Sequence, residues 1–188
     1  MSKSVKTHKI DIYADAKSVS DVSAPFVKRC ESGYMDNKEM RAIDDIISQL
    51  KVNGGLYYAI LLIQFRGALR ISEVLNISHQ DFIDDNKVFI KGLKGSGNKL
   101  LHIPELQQEI IKWKIYKKKP FVSISRHSVY RFYKRLGIGN PKVKSKLNNV
   151  THAIRNIVIR NLKKSNMTSS QISEIIGHKA KKSLEYYG

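Results

Sequence analysis

Ten consecutive residues in the first half of the chain, Leu56 to Phe65 (LYYAILLIQF), are almost wholly apolar. A helix that is apolar on every side needs neighbours on every side. Its length falls well short of the roughly 20 residues that cross a bilayer. The segment is therefore expected to lie buried at the centre of a helical domain. A chain of 188 residues can supply one such core.

The flanking patterns extend this frame. Asp36 with Glu39 reads as a capping box opening a helix to about Leu50, with Met40, Ile43, Ile46, Ile47 and Leu50 at helical spacing. Asn53-Gly54-Gly55 breaks it before the apolar helix. Lys87 to Lys91 and Lys99 to Ile103 read as two short strands around the glycine-rich turn Gly92-Leu93-Lys94-Gly95-Ser96-Gly97-Asn98. Helical signals then return at Glu105–Lys118, Ser128–Leu136, Val150–Lys164 and Ser169–Ile176, with Gly137 and Gly177 closing two of them. A short segment, Lys181 to Tyr187, follows. The expectation is a mainly α chain with one small antiparallel β-sheet, an α+β fold. Residues 1–35 show no sustained periodicity and read as a basic N-terminal arm or linker, with the domain over 36–188.

Charge narrows the function. Thirty-four Lys+Arg against 16 Asp+Glu leave +18, which points to a polyanionic partner. The surplus is concentrated. Between Glu105 and Val150 stand twelve basic residues: Lys112, Lys114, Lys117, Lys118, Lys119, Arg126, Arg131, Lys134, Arg135, Lys142, Lys144 and Lys146. Only Glu105 and Glu109 oppose them, so this belt reads as a phosphate-tracking surface rather than a merely soluble face. Binding through it should weaken steeply with salt. The interleaved Trp113, Tyr116, Tyr130 and Tyr133 are expected in the core. The single Cys30 excludes an internal disulfide, and no metal-ligand cluster or signal peptide is visible.

Four segments carry polar groups that a helical core does not need. Arg70, in Gly67-Ala68-Leu69-Arg70-Ile71-Ser72-Glu73, ends the most apolar helix. An arginine there must be paired, with Glu73 the simplest partner, or face an anion. Lys94 occupies the hairpin turn. That turn loosely mimics a phosphate loop, but Asn98-Lys99 and a following strand exclude nucleotide binding of that kind. His152 and Arg155, three residues apart, share one helix face. Ile175-Ile176-Gly177-His178 is followed by Tyr186-Tyr187. Taken together, two arginines, a lysine, two histidines and a tyrosine suit metal-free phosphoryl transfer. Guanidiniums stabilise charge on non-bridging oxygens. A histidine can accept the proton of a phenol whose ordinary pKa is ~10.

The order Leu-Arg-Ile-Ser-Glu, hairpin Lys, His-x-x-Arg, Ile-Gly-His, Tyr resembles the catalytic domain of the tyrosine recombinase (phage integrase) family. His178 lies 23 positions after Arg155 (178 − 155) and Tyr187 nine after His178 (187 − 178), spacings typical of that family. The resemblance spans about Asp36 to Tyr187. It implies a site-specific recombinase that needs neither metal nor ATP. Tyr187 would attack a DNA phosphate to form a 3′-phosphotyrosyl link, with Arg70 and Arg155 holding the phosphate. His152 would take the tyrosine proton, His178 would hydrogen-bond the phosphate, Lys94 would protonate the leaving 5′-oxygen and Glu73 would orient its neighbours. The implied partners are double-stranded DNA and further copies of the chain, as a tetramer on DNA, in the nucleoid-associated cytoplasm and without a membrane.

Some positions depart from the family pattern. Ala68 stands where glycine is common, Lys91 and Lys99 compete with Lys94, and Tyr186 competes with Tyr187. The arm is expected to be too short for the family's separate N-terminal domain, which makes the chain similar to the minimal recombinases such as fimbrial-switch invertases. The family's usual helix beyond the tyrosine has no counterpart before Gly188, the last residue. Two other readings remain open: a catalytically silent DNA-binding remnant or accessory factor, and a type IB-like relaxing topoisomerase.

Overall fold

A computed structural model describes residues 20–21, 38–53, 55–93, 95–139 and 150–177. Among them are seven α-helices: α1 (Lys38–Asn53), α2 (Leu56–Gly67), α3 (Ile71–Leu75), α4 (Gln107–Ile115), α5 (Arg126–Arg135), α6 (Val150–Lys164) and α7 (Ser169–Ile176). The strands are β1 (Ser20–Asp21), β2 (Lys87–Ile90) and β3 (Lys99–His102). The mainly α, α+β class expected from the sequence is the one observed.

The apolar segment is the centre of the fold. Every residue of α2 from Tyr58 to Phe65 is buried. Helix α2 packs against α1, α3 and α6, and α6 also packs against α5 and α7. Helix α6 buries eleven of its 15 residues, Arg155 and Asn156 among them. Both helices also bury polar groups: Gln64 on α2, and Thr151, Arg155, Asn156 and Asn161 on α6.

The hairpin forms as the two extended stretches suggest. Strands β2 and β3 are antiparallel, with Lys87 opposite His102 and Ile90 opposite Lys99. Val88, Ile90, Lys99 and Leu101 turn inward. The two residues of β1, within the stretch read as an arm, pair in parallel with β3, Ser20 beside Lys99. The sheet order is β1-β3-β2.

Boundaries shift where local chemistry overrides periodicity. A 3-10 turn over Pro104–Leu106 precedes α4, which ends at Ile115 rather than Lys118. Lys117 adopts φ 49 there, and the Lys118 N–H closes on the Trp113 carbonyl at 3.0 Å, a left-handed helix stop. Helix α5 opens two residues early because Ser125 Oγ caps the Ser128 N–H at 3.0 Å. Helix α1 runs on to Asn53, while Asp36 of the expected capping box lies outside the described residues. Helix α3, five residues long, is too short to leave a periodic signal in the sequence.

Candidate active site

The chain leaves α2 through Ala68 in the left-handed region, φ 46 and ψ 41, and re-enters a helix at Arg70. The end of a helix leaves carbonyls without intrahelical partners. Here three successive carbonyls are each met by a buried side chain from a different element. Lys99 Nζ on β3 donates to Gly67 O at 3.1 Å. Arg155 on α6 donates through Nη1 to Ala68 O. Gln64 on α2 donates through Nε2 to Leu69 O at 3.1 Å. The negative end of the α2 dipole therefore faces two cations, the favourable sense.

Arg70 and Glu73 do form the pair considered from the sequence. Glu73 Oε2 accepts the Arg70 backbone N–H at 2.8 Å, and Oε1 accepts from Arg70 Nη1 at 3.1 Å. The same Nη1 reaches Leu93 O at 3.3 Å and Ser96 Oγ, so Arg70 also grips the hairpin turn. Burial alone would raise the Glu73 carboxyl. The Arg70 N–H and the charges of Lys99, Arg155 and Arg70 outweigh it and hold Glu73 below its ordinary range. Glu73 is thus an anion among three cations. Arg70 keeps 16% of its side chain exposed, whereas Arg155 is buried and also reaches Ile176 O at 3.4 Å.

His152 lies one turn before Arg155 on α6 and is half-buried. Burial depresses its pKa most, followed by the charges of Arg126, Arg155 and Arg70, with Glu73 opposing. The charges of Arg70, Glu73 and Arg155 all act on His152, so these four residues, from the α2–α3 corner and α6, converge on one region. Arg126 joins them from the start of α5.

Helix α7 approaches from the other side. Gly177 closes it at φ 64, and a Cβ there would stand 2.8 Å from Lys99 Cε and 3.1 Å from Gly97 O. The Gly97 N–H donates to Gly177 O at 2.6 Å. The hairpin is therefore bolted to the residue that precedes His178. Lys94, His178, Tyr186 and Tyr187 themselves lie outside the described residues, as do Lys142, Lys144 and Lys146.

Of the competing lysines, the exposed Lys91 pairs with the buried Asp81 at 2.9 Å. Lys99 is buried among the site arginines, and its pKa falls to about 7 through burial and then the charge of Arg155, with Glu73 opposing. Lys99 and Gln64 were not singled out as central by sequence, because only the tertiary fold brings them to the Gly67–Leu69 carbonyls.

Lys112, Lys117, Lys118, Lys119, Arg126, Arg131, Lys134 and Arg135 are exposed. Lys114 instead pairs with Asp85 at 2.9 Å. Tyr57, His127, Ser128, Arg131, Lys134 and Arg135 line a shallow basic cleft along α5. The aromatics divide: Trp113 and Tyr133 are buried, Tyr130 half-buried and Tyr116 exposed, with Lys118 Nζ 5.3 Å from the Tyr116 ring. Among the described residues no group of three or more His, Cys, Asp or Glu could hold a metal ion. None of their helices is long and apolar enough to cross a membrane.

Compared with known protein families, residues 34–188 match the one described as the phage integrase family. No curated protein matches the chain at a significant level.

Proposed function

The chain belongs to the phage integrase family, the tyrosine recombinases that break and rejoin DNA, and from that premise we propose that it is a site-specific recombinase acting through a 3′-phosphotyrosyl intermediate. The observation that carries the reading is the convergence of Arg70, Glu73, His152 and Arg155 from the α2–α3 corner and α6.

In this proposal a DNA phosphate docks against the exposed part of Arg70, with Arg155 behind it. The Tyr187 phenol attacks phosphorus, and the P–O bond to the 5′-oxygen breaks. The phenol proton passes to His152, which its surroundings keep neutral near pH 7. Lys94 gives a proton to the leaving 5′-oxygen, and His178 hydrogen-bonds a non-bridging oxygen. Glu73 keeps Arg70 in place through both backbone and side chain. A second 5′-hydroxyl reverses the steps and reseals the strand. The phosphotyrosyl bond conserves the energy, so neither ATP nor a metal ion is consumed or required in this scheme.

The exposed cations of α4 and α5 would track the DNA backbone, and several copies of the chain would assemble on DNA to exchange strands. Incubation with a nicked suicide duplex tests the reading. The protein should become trapped on DNA in a detergent-stable adduct, and absence of any adduct from the folded, DNA-bound protein would defeat it.

A further inference from the structure

Gln64 is the one carboxamide in the buried span Tyr58–Phe65, and it is fully shielded from solvent. Its Nε2 donates both to Leu69 O at 3.1 Å and to Thr151 O at 2.9 Å. Leu69 immediately precedes Arg70, and Thr151 immediately precedes His152. On its other side Oε1 accepts from the Tyr133 hydroxyl at 2.7 Å. Tyr133 is itself fully buried on α5, and burial pushes its pKa up, so it remains a donor. With one end of the amide facing two carbonyls, which only accept, the group cannot flip without losing both of those bonds.

We infer that Gln64, oriented by Tyr133, is a positioning residue for strand cleavage: it fixes the Arg70 backbone and the His152 backbone relative to each other. The inference rests on the reading of Arg70 and His152 proposed above. Nothing else among the described side chains hydrogen-bonds both of these flanking peptides. Arg70 arrives on a turn after α2, and His152 lies in the first turn of α6, next to Thr151, which is 87 positions beyond Gln64. The backbone alone leaves their separation to helix packing. Tyr133 extends the link to α5, the helix bearing Arg131, Lys134 and Arg135. Contacts of α5 with DNA would therefore bear on the same amide.

Stability and positioning make different demands here. An apolar pair of similar shape, Gln64→Leu with Tyr133→Phe, removes the hydroxyl and the amide together, so neither is left unpaired and the cost to folding is confined to the Leu69 and Thr151 carbonyls that lose a donor. It removes the side chain that bonds both peptides and leaves the Arg155–Ala68 contact to tie α6 to the Arg70 turn. Catalysis is far less tolerant, since a displacement of about 1 Å can lower a rate on the order of 100-fold.

The test is single-turnover adduct formation on a suicide duplex at saturating DNA, for wild type, Gln64→Leu, Tyr133→Phe and the double variant. DNA affinity and thermal unfolding are measured alongside. The expected result is a rate lowered about 10- to 100-fold in Gln64→Leu and in the double variant, with affinity changed less than about twofold. The acid limb of the pH profile, set by His152, should also move towards the ordinary histidine value, which general loss of folded protein cannot produce. Tyr133→Phe, the milder change, should lower the rate severalfold and carries the test if Gln64→Leu does not fold. Wild-type rates and an unmoved pH profile in folded variants would overturn the inference while leaving the recombinase reading intact. Failure of wild type itself to form an adduct would overturn both.

Discussion

The Arg155 guanidinium donates to the carbonyl of Ala68, 87 positions earlier in the chain, and Ala68 offers that carbonyl only because its backbone is left-handed. The contact locks α6 to the turn that delivers Arg70. It also shows what Ala68 costs, a non-glycine residue held at φ 46. A non-glycine residue in this region is strained by roughly 1–2 kcal/mol. Glycine would relieve the strain but add about 0.4–1 kcal/mol of unfolded-chain entropy. Ala68→Gly is therefore expected to be neutral to slightly stabilising, with the melting temperature unchanged or raised by a few degrees. A clear loss of stability in thermal unfolding would show that the Ala68 methyl packs better than its strain costs.

Gly177 makes the opposite prediction. It combines a left-handed φ of 64 with a site where a Cβ would lie 2.8 Å from Lys99 Cε and 3.1 Å from Gly97 O. Gly177→Ala must shift either the buried lysine or the hairpin backbone. Destabilisation of about 2 kcal/mol or more is expected in denaturant unfolding, from backbone strain plus overpacking. DNA cleavage should fall further than stability alone explains. A fully stable, fully active Gly177→Ala protein would mean that the hairpin does not need its seat on α7.

The role proposed for His152, as the base in cleavage, sets a pH dependence. A base must be neutral, and burial first, then the charges of Arg126, Arg155 and Arg70, lower its pKa from 6.5. Adduct formation under kcat/KM conditions should therefore persist below pH 6.5 and decline only in more acid solution. Arg126→Gln removes one of the depressing charges and should move the acid limb to higher pH. An acid limb at or above the ordinary histidine value in wild type would contradict the assignment of His152 as the base.

Lys99 leaves a mark on stability rather than on the rate profile. Its folded pKa, about 7, lies below its ordinary 10.5. Between those values the unfolded chain binds more protons than the native one, so the slope of stability with pH is positive there. Below pH 7 both states are protonated and the full cost of the buried charge is present. The stability of DNA-free wild type relative to Lys99→Met should accordingly improve as pH rises from 7 towards 10. A pH-independent difference in chemical denaturation would show that the Lys99 ammonium is better solvated than its burial suggests.

Much of the frame was readable from the amino-acid order because it depends on local pattern. Helices α6 and α7 occupy Val150–Lys164 and Ser169–Ile176, the segments their periodicity and the Gly177 stop define. The apolar span Leu56–Phe65 is buried throughout except at its first two residues, as a helix without a polar face must be. The hairpin follows from two apolar alternations about a glycine-rich turn. What the sequence could not disclose is pairwise. Gln64 looks like an interruption of an apolar helix, and Lys99 like one more cation in a basic chain. Their roles appear only when α2, β3 and α6 meet at the Gly67–Leu69 carbonyls. Lys114 shows the converse: read as part of a phosphate belt, it is already paired with Asp85 from the loop before β2.

The central claim is that Tyr187 becomes covalently joined to DNA at its hydroxyl. Trapping the protein on a suicide duplex in the presence of a chelator, digesting both partners and locating the added nucleotide by mass spectrometry tests it most directly. The expected result is nucleotide mass on the peptide containing Tyr187, fragment ions that place it on that residue, and no adduct from Tyr187→Phe. Nucleotide on Tyr186, or an adduct that survives in Tyr187→Phe, would contradict it.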